Sequence, residues 1–174
     1  MRLSLLALPA LAAASPLALE ERTVTCNKTG IDSNRAIIIN REFLVNDLIP
    51  DVVPDIQPTT ELRGAYGSKQ INLGNTYQVY ETLKQPTFDF DPEEGHDPET
   101  TRYTFVIVDP DAPGPGLPLL RQFLHIIVSD AAPSCVSGAQ PKTVTPYMPL
   151  TPLSLAKHRY TCKPHPLLQA RSPD

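Results

Sequence analysis

The sequence predicts a mainly β domain with few helices. Its apolar residues come in short runs bounded by proline or glycine, and the 174-residue chain holds 20 prolines against 8 glycines. Because proline fixes φ and removes a backbone donor, this composition favours strands joined by stiff loops over a helical bundle. The length allows one domain with a substantial hydrophobic core.

Composition and charge are those of an ordinary globular protein. Hydrophobic residues make up 41% of the chain, and the formal net charge is -4. Nucleic-acid-binding domains typically carry a clustered basic face, so this mild acidity does not favour a nucleic-acid partner. Because no glycine-rich phosphate loop precedes a helix, we predict no cofactor.

The first 18 residues are predicted to be a secretory signal peptide. Arg2 gives one positive charge, an apolar stretch covers residues 3–11, and small residues follow it. An apolar helix of the fold is the alternative. No later stretch is long enough to span a membrane, so we predict a secreted chain without a transmembrane segment. In such a chain Asn27, which opens an Asn-Lys-Thr sequon, can be glycosylated.

Three cysteines, Cys26, Cys135 and Cys162, permit one disulfide and one odd thiol in an oxidising compartment. Their spacing does not select the pair. Because no activating base is evident beside any of them, we interpret them as structural rather than catalytic.

One helix is predicted before the main strands. Apolar residues recur at roughly helical spacing over residues 33–48, where Asp32 or Ser33 can cap the start and Pro50 ends the segment. Short strands are predicted next, divided by glycine and proline, at 61–66, 71–80 and 87–90.

The stretch with the most chemistry lies between two stronger strands. Residues 103–108 and 123–128 are apolar runs typical of strands buried on both faces, and the loop between them contains four prolines. Asp109 and Asp111 stand where the first strand ends, and His125 lies within the second. A stiff loop that carries carboxylates beside a strand-borne imidazole favours a binding or catalytic site.

These groups can form an anion site if they converge with His158 and Tyr160. A carboxylate beside a histidine stabilises the imidazolium, which then donates charge-assisted hydrogen bonds to phosphate or a carboxylate. Asp111 has the alternative of capping a turn. Arg121 is predicted to pair with a carboxylate, with Asp111 as the candidate.

A metal site is not predicted. His158, Cys162 and His165 are only three potential zinc ligands, and they stand in a proline-rich context.

The same residues resemble the signature of the phosphatidylethanolamine-binding protein (PEBP) family. The resemblance rests on Asp109-Pro110-Asp111-Ala112-Pro113, on Arg121 and His125, and on the downstream His158-Arg159-Tyr160, and it covers roughly residues 37–160. It implies a PEBP-like domain over residues 19–160, with a larger antiparallel-rich sheet packed on a smaller sheet and peripheral helices. It also implies a pocket for phosphate, acetate or a phosphorylethanolamine head group. The implied ligand-binding residues are Asp109, Asp111, Pro113, Phe123, His125, His158 and Tyr160.

Two features depart from the family pattern. Residues 154–157 replace the small, glycine-containing approach to the His158-Arg159-Tyr160 element. After Tyr160, family members continue with an apolar strand, whereas this chain has Pro164 and Pro166 and ends at residue 174. Because proline is excluded from central strands, we interpret residues 161–174 as an irregular tail and the chain as a shortened member of the family.

Three functions follow from the residues and the resemblance. The leading one is a secreted protein that binds a small anion or a phospholipid head group, since no nucleophile–base pair of the Ser–His–Asp kind is evident. The second, suggested by some relatives, is an accessory enzyme that assists dimerisation and ring closure of maleic-anhydride monomers in a polyketide pathway. Its catalytic groups would be His125, Asp109 and Tyr160. The third is a serine carboxypeptidase inhibitor or a signalling ligand, which would act on a protein partner through exposed loops.

Overall fold

The computed structural model describes residues 26–27, 30–152 and 154–167, which form two antiparallel sheets. The predicted signal peptide lies outside the described residues. Within them, the smaller sheet has the order β2-β1-β3, with β1 (Leu62–Tyr66), β2 (Lys69–Ile71) and β3 (Thr87–Phe90). The larger sheet has the order β6-β5-β4-β7, with β4 (Arg102–Asp109), β5 (Phe123–Ala131), β6 (Lys142–Thr145) and β7 (Thr161–Leu167). The predicted mainly β class with two sheets is confirmed.

The helix α1 (Ser33–Val45) begins where the sequence predicts it. The side chain of Asp32 accepts hydrogen bonds from the backbone N–H groups of Asn34 and Arg35, at 2.9 and 3.1 Å, and thereby caps the first turn. None of the α1 residues is buried. The helix therefore lies on the surface, and no helix in the described ranges is long and apolar enough to cross a membrane.

The predicted strand over residues 71–80 is wrong. Strand β2 ends at Ile71, and a 3-10 helix covers Val79–Thr82. Between them Gly74 adopts a φ of +95°, a left-handed conformation that interrupts an extended strand and that glycine tolerates.

The hydrophobic core lies between the two sheets. Phe90 of β3 packs edge-on against Tyr103 and Phe105 of β4, with ring centroids 4.9 and 5.3 Å apart. Burial of each such side chain contributes roughly 1.5–3 kcal/mol to stability. The core residues are Tyr66, Phe90, Tyr103, Phe105, Ile107, Ile126, Val128, Ala131 and Leu150.

Strand β4 differs from the prediction of burial on both faces. Its residues alternate between buried and half-buried along its whole length. Since the fully buried residues Tyr103, Phe105 and Ile107 belong to the core, one face of β4 packs inward and the other is only partly covered.

Residues 161–167 form an edge strand, so the predicted irregular tail is wrong for this segment. Strand β7 pairs antiparallel with β4, with Pro164 opposite Phe105 and Pro166 opposite Tyr103. Proline is excluded from a central strand because both rows of backbone donors are needed there, but an edge strand uses only one row. The sequence argument was therefore right to exclude a central strand and wrong to infer that the segment forms no strand.

One disulfide joins Cys26 to Cys135, a pairing that the spacing left open. It ties the segment before α1 to the segment that follows β5. Cys162 is the free cysteine, and burial raises the pKa of its thiol to about 12. A thiol with so high a pKa is a poor nucleophile at neutral pH, in line with a structural role.

Candidate functional site

His125 is positioned by an irregularity in β5. Ile107 pairs with Ile126 and Val108 pairs with Leu124, so His125 is an extra residue between two consecutive pairs. His125 and Ile126 are consequently both buried, although neighbours in a regular strand face opposite sides. Such a β-bulge redirects a side chain, and bulges are frequent beside functional sites.

The imidazole of His125 has one satisfied nitrogen and one free nitrogen. Its Nδ1 lies 2.9 Å from the backbone oxygen of Met148. Because a carbonyl oxygen only accepts, Nδ1 must carry a proton. The other nitrogen, Nε2, is buried and has no hydrogen-bond partner among the described residues.

Tyr160 presents a second unpaired group beside His125. The two rings are edge-on with centroids 5.4 Å apart. The buried Tyr160 hydroxyl makes no hydrogen bond of good geometry within the described residues, although the Asp109 carboxylate lies close enough to interact with it. Burial raises the pKa of this hydroxyl, and the nearby Asp109 carboxylate raises it further. The hydroxyl therefore stays protonated at neutral pH and is available as a donor.

Phe123 also packs against the imidazole of His125. Its ring lies edge-on to His125 at a centroid distance of 5.3 Å. The structure thus brings His125, Tyr160 and Phe123 together, as the ligand-binding prediction requires.

Asp109, the last residue of β4, contacts both Asp111 and His158. Its Oδ1 accepts the backbone N–H of Asp111 at 2.8 Å, and its Oδ2 lies 2.7 Å from Nδ1 of His158. The opposite nitrogen of that imidazole, Nε2, lies 3.0 Å from Oγ of Ser154. The expectation that no Ser–His–Asp arrangement exists is therefore wrong.

Sequence reasoning missed this arrangement because the contacts are remote or irregular. Asp109 and His158 are 49 positions apart, and Ser154 meets His158 across four positions outside any helix. The one available signal was Ser154 itself, which stands in the segment where the family pattern was expected to show glycine.

Asp111 is held by Arg159 and not by Arg121. Both Asp111 oxygens accept hydrogen bonds from the Arg159 side chain, at 3.0 and 2.6 Å, and the backbone N–H of Arg159 donates to Oδ2 at 2.7 Å. Arg121 instead pairs with Asp51 at 2.5 Å, so the predicted partner of Arg121 is wrong. Arg159, and not Arg121, pairs with Asp111 because both the backbone N–H and the guanidinium of Arg159 reach this carboxylate.

These contacts fix the charge of Asp111. Burial alone would raise the pKa of its carboxyl, but the hydrogen bonds from Arg159 outweigh burial and lower the pKa below its ordinary value. With its oxygens engaged by Arg159, Asp111 joins the loop after β4 to the His158-Arg159-Tyr160 element. A ligand contact of Asp111 stays a prediction.

The loop after β4 also approaches Ser154. Pro113, half-buried, follows a cis peptide bond from Ala112, and Gly114 comes next. A Cβ at Gly114 would lie only 3.3 Å from Cβ and 3.4 Å from Oγ of Ser154. The absence of a side chain at Gly114 therefore leaves the Ser154 hydroxyl in place.

The two-sheet fold is that of a known protein family. The phosphatidylethanolamine-binding protein family profile matches residues 53–168, more than half of the chain. The chain therefore belongs to the phosphatidylethanolamine-binding protein family.

The individual relatives match this chain at low sequence identity and over only part of its length. CEN-like protein 1 of Nicotiana tabacum is 32% identical over 104 residues, which are 59% of this chain and 56% of that protein. The chain spans about half the length of the curated relatives that it matches most extensively.

Two solved structures share the fold. The carboxypeptidase Y inhibitor, solved in complex with its cognate proteinase, has a TM-score of 0.65 at 23% identity, covering 75% of this chain and 72% of the inhibitor. The phosphatidylethanolamine-binding protein from Plasmodium vivax has a TM-score of 0.59 at 25% identity, covering 70% of this chain and 68% of that protein.

Proposed function

We propose that this protein binds a small anionic group at His125 and Tyr160: phosphate, phosphorylethanolamine or a carboxylate. The observation that carries the proposal is the pair of buried atoms without partners, Nε2 of His125 and the hydroxyl of Tyr160. Buried polar groups are normally hydrogen-bonded, and leaving one unpaired costs about 1–3 kcal/mol. An anion that accepts from both groups recovers this cost.

The hydrogen bond to Met148 determines the protonation state in which His125 can bind an anion. With the proton of the neutral ring on Nδ1, Nε2 is only an acceptor. Nε2 becomes a donor when the ring takes up a second proton. An anion that accepts a hydrogen bond from Nε2 therefore binds to the doubly protonated ring of His125.

Access to the site requires a local opening. The Nε2 atom and the hydroxyl are shielded from solvent. Two surface cavities, of about 550 and 480 Å³, lie elsewhere, near Asn40 of α1 and near Glu93. An anion therefore enters only in a conformation that exposes the two groups, and the apparent affinity is reduced by the rarity of that conformation.

Calorimetric titration with phosphorylethanolamine tests the proposal. We expect binding by the wild-type protein, loss of binding in His125→Ala, and unchanged binding in Tyr80→Phe, which alters a tyrosine that is 73% exposed. Absence of heat from phosphorylethanolamine, phosphate and acetate alike would refute the proposal.

We further propose that the protein is secreted. A disulfide between Cys26 and Cys135 is typical of an oxidising compartment, and Asn27 of the sequon is exposed. Expression in a secreting eukaryotic host should give medium that contains a chain beginning after residues 14–18 with a glycan on Asn27. Retention of the uncleaved chain inside the cells would contradict this.

Inhibition of a serine carboxypeptidase is the second candidate function. The carboxypeptidase Y inhibitor shares the fold of this chain at 23% identity, and a fold alone does not determine function. Its test is inhibition of secreted serine carboxypeptidases by the purified protein. The role in anhydride dimerisation stays a prediction, tested by incubating the protein with the monomers and comparing the rate with buffer.

A further inference from the structure

We infer that Ser154, His158 and Asp109 form a nucleophilic relay that gives this protein acyl-transfer activity towards small carboxylic esters, with Ser154 as the nucleophile. The relay rests on two contacts, 3.0 Å from Ser154 Oγ to His158 Nε2 and 2.7 Å from His158 Nδ1 to Asp109 Oδ2. Both lie within the 2.6–3.2 Å expected of a nucleophile, its base and the group that orients the base. The two imidazole nitrogens also have the right order, with Nδ1 on the carboxylate and Nε2 on the hydroxyl.

The carboxylate selects the tautomer that the reaction needs. An ionised carboxylate only accepts, so its contact with Asp109 places the imidazole proton on Nδ1 of His158. Nε2 is then an acceptor that faces the Ser154 hydroxyl. Asp109 is a positioning residue, since it acts on the hydroxyl only through His158.

The three residues of the relay differ in how far they are buried. The side chains of His158 and Asp109 are 1% and 4% exposed, whereas Ser154 is half-buried. The base and its carboxylate are thus sheltered from water, whereas Ser154 keeps partial exposure to solvent. The backbone N–H of Ala156 points at Ser154 Oγ from 3.3 Å and stabilises negative charge that develops on that oxygen.

The reaction balances with water as the second substrate. Ser154 Oγ bonds to the ester carbonyl carbon, its proton passes to His158 Nε2, and the carbonyl electron pair becomes the charge of the tetrahedral oxygen. Collapse breaks the bond to the alcohol oxygen, which leaves with the proton from His158. Water then attacks the acylated Ser154, gives a proton to His158, and releases the acid as that proton returns to Oγ.

The tetrahedral oxygen needs a donor, and we assign this role to the Tyr160 hydroxyl in the opened conformation that also admits an anion. The Tyr160 ring stacks on His158 at a centroid distance of 6.3 Å, and its protonated hydroxyl has no partner within the described part of the chain. This part of the inference rests on the proposed anion site, because the same hydroxyl serves both. The relay itself does not depend on anion binding.

Labelling with an alkyl fluorophosphonate tests the relay. The reagent phosphonylates an activated serine, forming a bond from phosphorus to oxygen with loss of fluoride, and peptide mass spectrometry identifies the modified residue. We expect an adduct on Ser154 in the wild-type protein, and release of p-nitrophenolate from p-nitrophenyl acetate that is lost in Ser154→Ala. Since a general base contributes roughly 10²–10⁴-fold, His158→Gln should slow the labelling at least about 100-fold.

Ser129→Ala is the matched control. Ser129 is also half-buried, and its Oγ contacts the Asp130 carboxylate at 3.0 Å without an imidazole between them. Its replacement should leave the labelling rate unchanged. Each variant is first checked for a cooperative thermal melt, and the location of the wild-type adduct decides the question even if His158→Gln does not fold.

Two results would overturn the inference: no adduct on Ser154 in the folded wild-type protein, or labelling of Ser154 at the same rate without His158. Titration of phosphorylethanolamine into Ser154→Ala separates this failure from failure of the anion site. An adduct on Ser154 without heat from phosphorylethanolamine, phosphate or acetate would support the relay and refute the anion site. Binding of phosphorylethanolamine without an adduct on Ser154 would support the anion site and refute the relay.

Discussion

Replacing Tyr160 by phenylalanine should stabilise the unliganded protein and weaken anion binding at the same time. The variant removes one buried hydroxyl that has no hydrogen-bond partner among the described residues, and it keeps the ring that packs edge-on against His125. An unpaired buried hydroxyl costs about 1–3 kcal/mol in the folded state. The lower end applies because the Tyr160 residue as a whole is only half-buried.

A gain of about 1 kcal/mol corresponds to a rise in Tm of roughly 2–4 °C for a domain of this size. In the complex the same hydroxyl donates to an anion, and a hydrogen bond to a charged group contributes about 1.5–3 kcal/mol. Its loss should therefore weaken phosphorylethanolamine binding roughly 10- to 150-fold.

The assay is a thermal melt of dialysed protein together with a calorimetric titration, each made on the wild type, Tyr160→Phe and Tyr80→Phe. Tyr80 is 73% exposed, so its hydroxyl is solvated in both states and its loss should change neither quantity. A lower Tm for Tyr160→Phe would show that the hydroxyl has a partner in solution. The argument for a binding site at Tyr160 would then lose its main support.

Three further predictions concern stability. Arg159→Met leaves the buried Asp111 carboxylate without its bidentate partner and should lower the unfolding free energy in urea by about 2–3 kcal/mol; an unchanged value would show that the pair contributes little. Because the folded-state pKa of Asp111 lies below its ordinary value, its ionised form stabilises the fold above about pH 4, and this contribution is lost as the pH falls through the folded pKa. Urea unfolding from pH 6 to pH 3 should show this loss in the wild type and not in Asp111→Asn, and equal slopes would contradict it. Removing the disulfide with Cys26→Ser and Cys135→Ser opens a loop with a sequence separation of 109, which should cost about 4–5 kcal/mol and lower the Tm; an unshifted melt would refute this estimate.

Local sequence signals were sufficient for the elements whose causes are local. Asp32 starts α1 because its side chain reaches donors two and three residues ahead, a relation visible in sequence. Strands β4 and β5 follow from their apolar runs. The strand predicted over residues 71–80 does not form as a whole, because the left-handed conformation of Gly74 interrupts an extended backbone.

The site was predictable as a set of residues but not as a set of contacts. His125 and Tyr160 belong to the motif, yet only the bulge in β5, opposite Ile107 and Val108, shows that the side chain of His125 is turned inward. The partners of Asp109 and Asp111 lie 49 and 48 positions away in the chain, respectively, where spacing carries no information about distance. Ser154 had no motif of its own, so a relay that depends on it could be found only from coordinates.

The prolines of β7 affect how the larger sheet meets other proteins. Residues two apart in a strand direct their backbone donors to the same side, so Pro164 and Pro166 remove two successive donors from one side of β7. Pairing with β4 uses the donors on the other side, so proline is tolerated in β7 where its nitrogen faces away from β4, at the edge of the sheet that the described residues form. A neighbouring chain that tries to add a strand there finds too few N–H groups to bond with. The feature that made this segment look unstructured thus protects the domain against edge-to-edge aggregation.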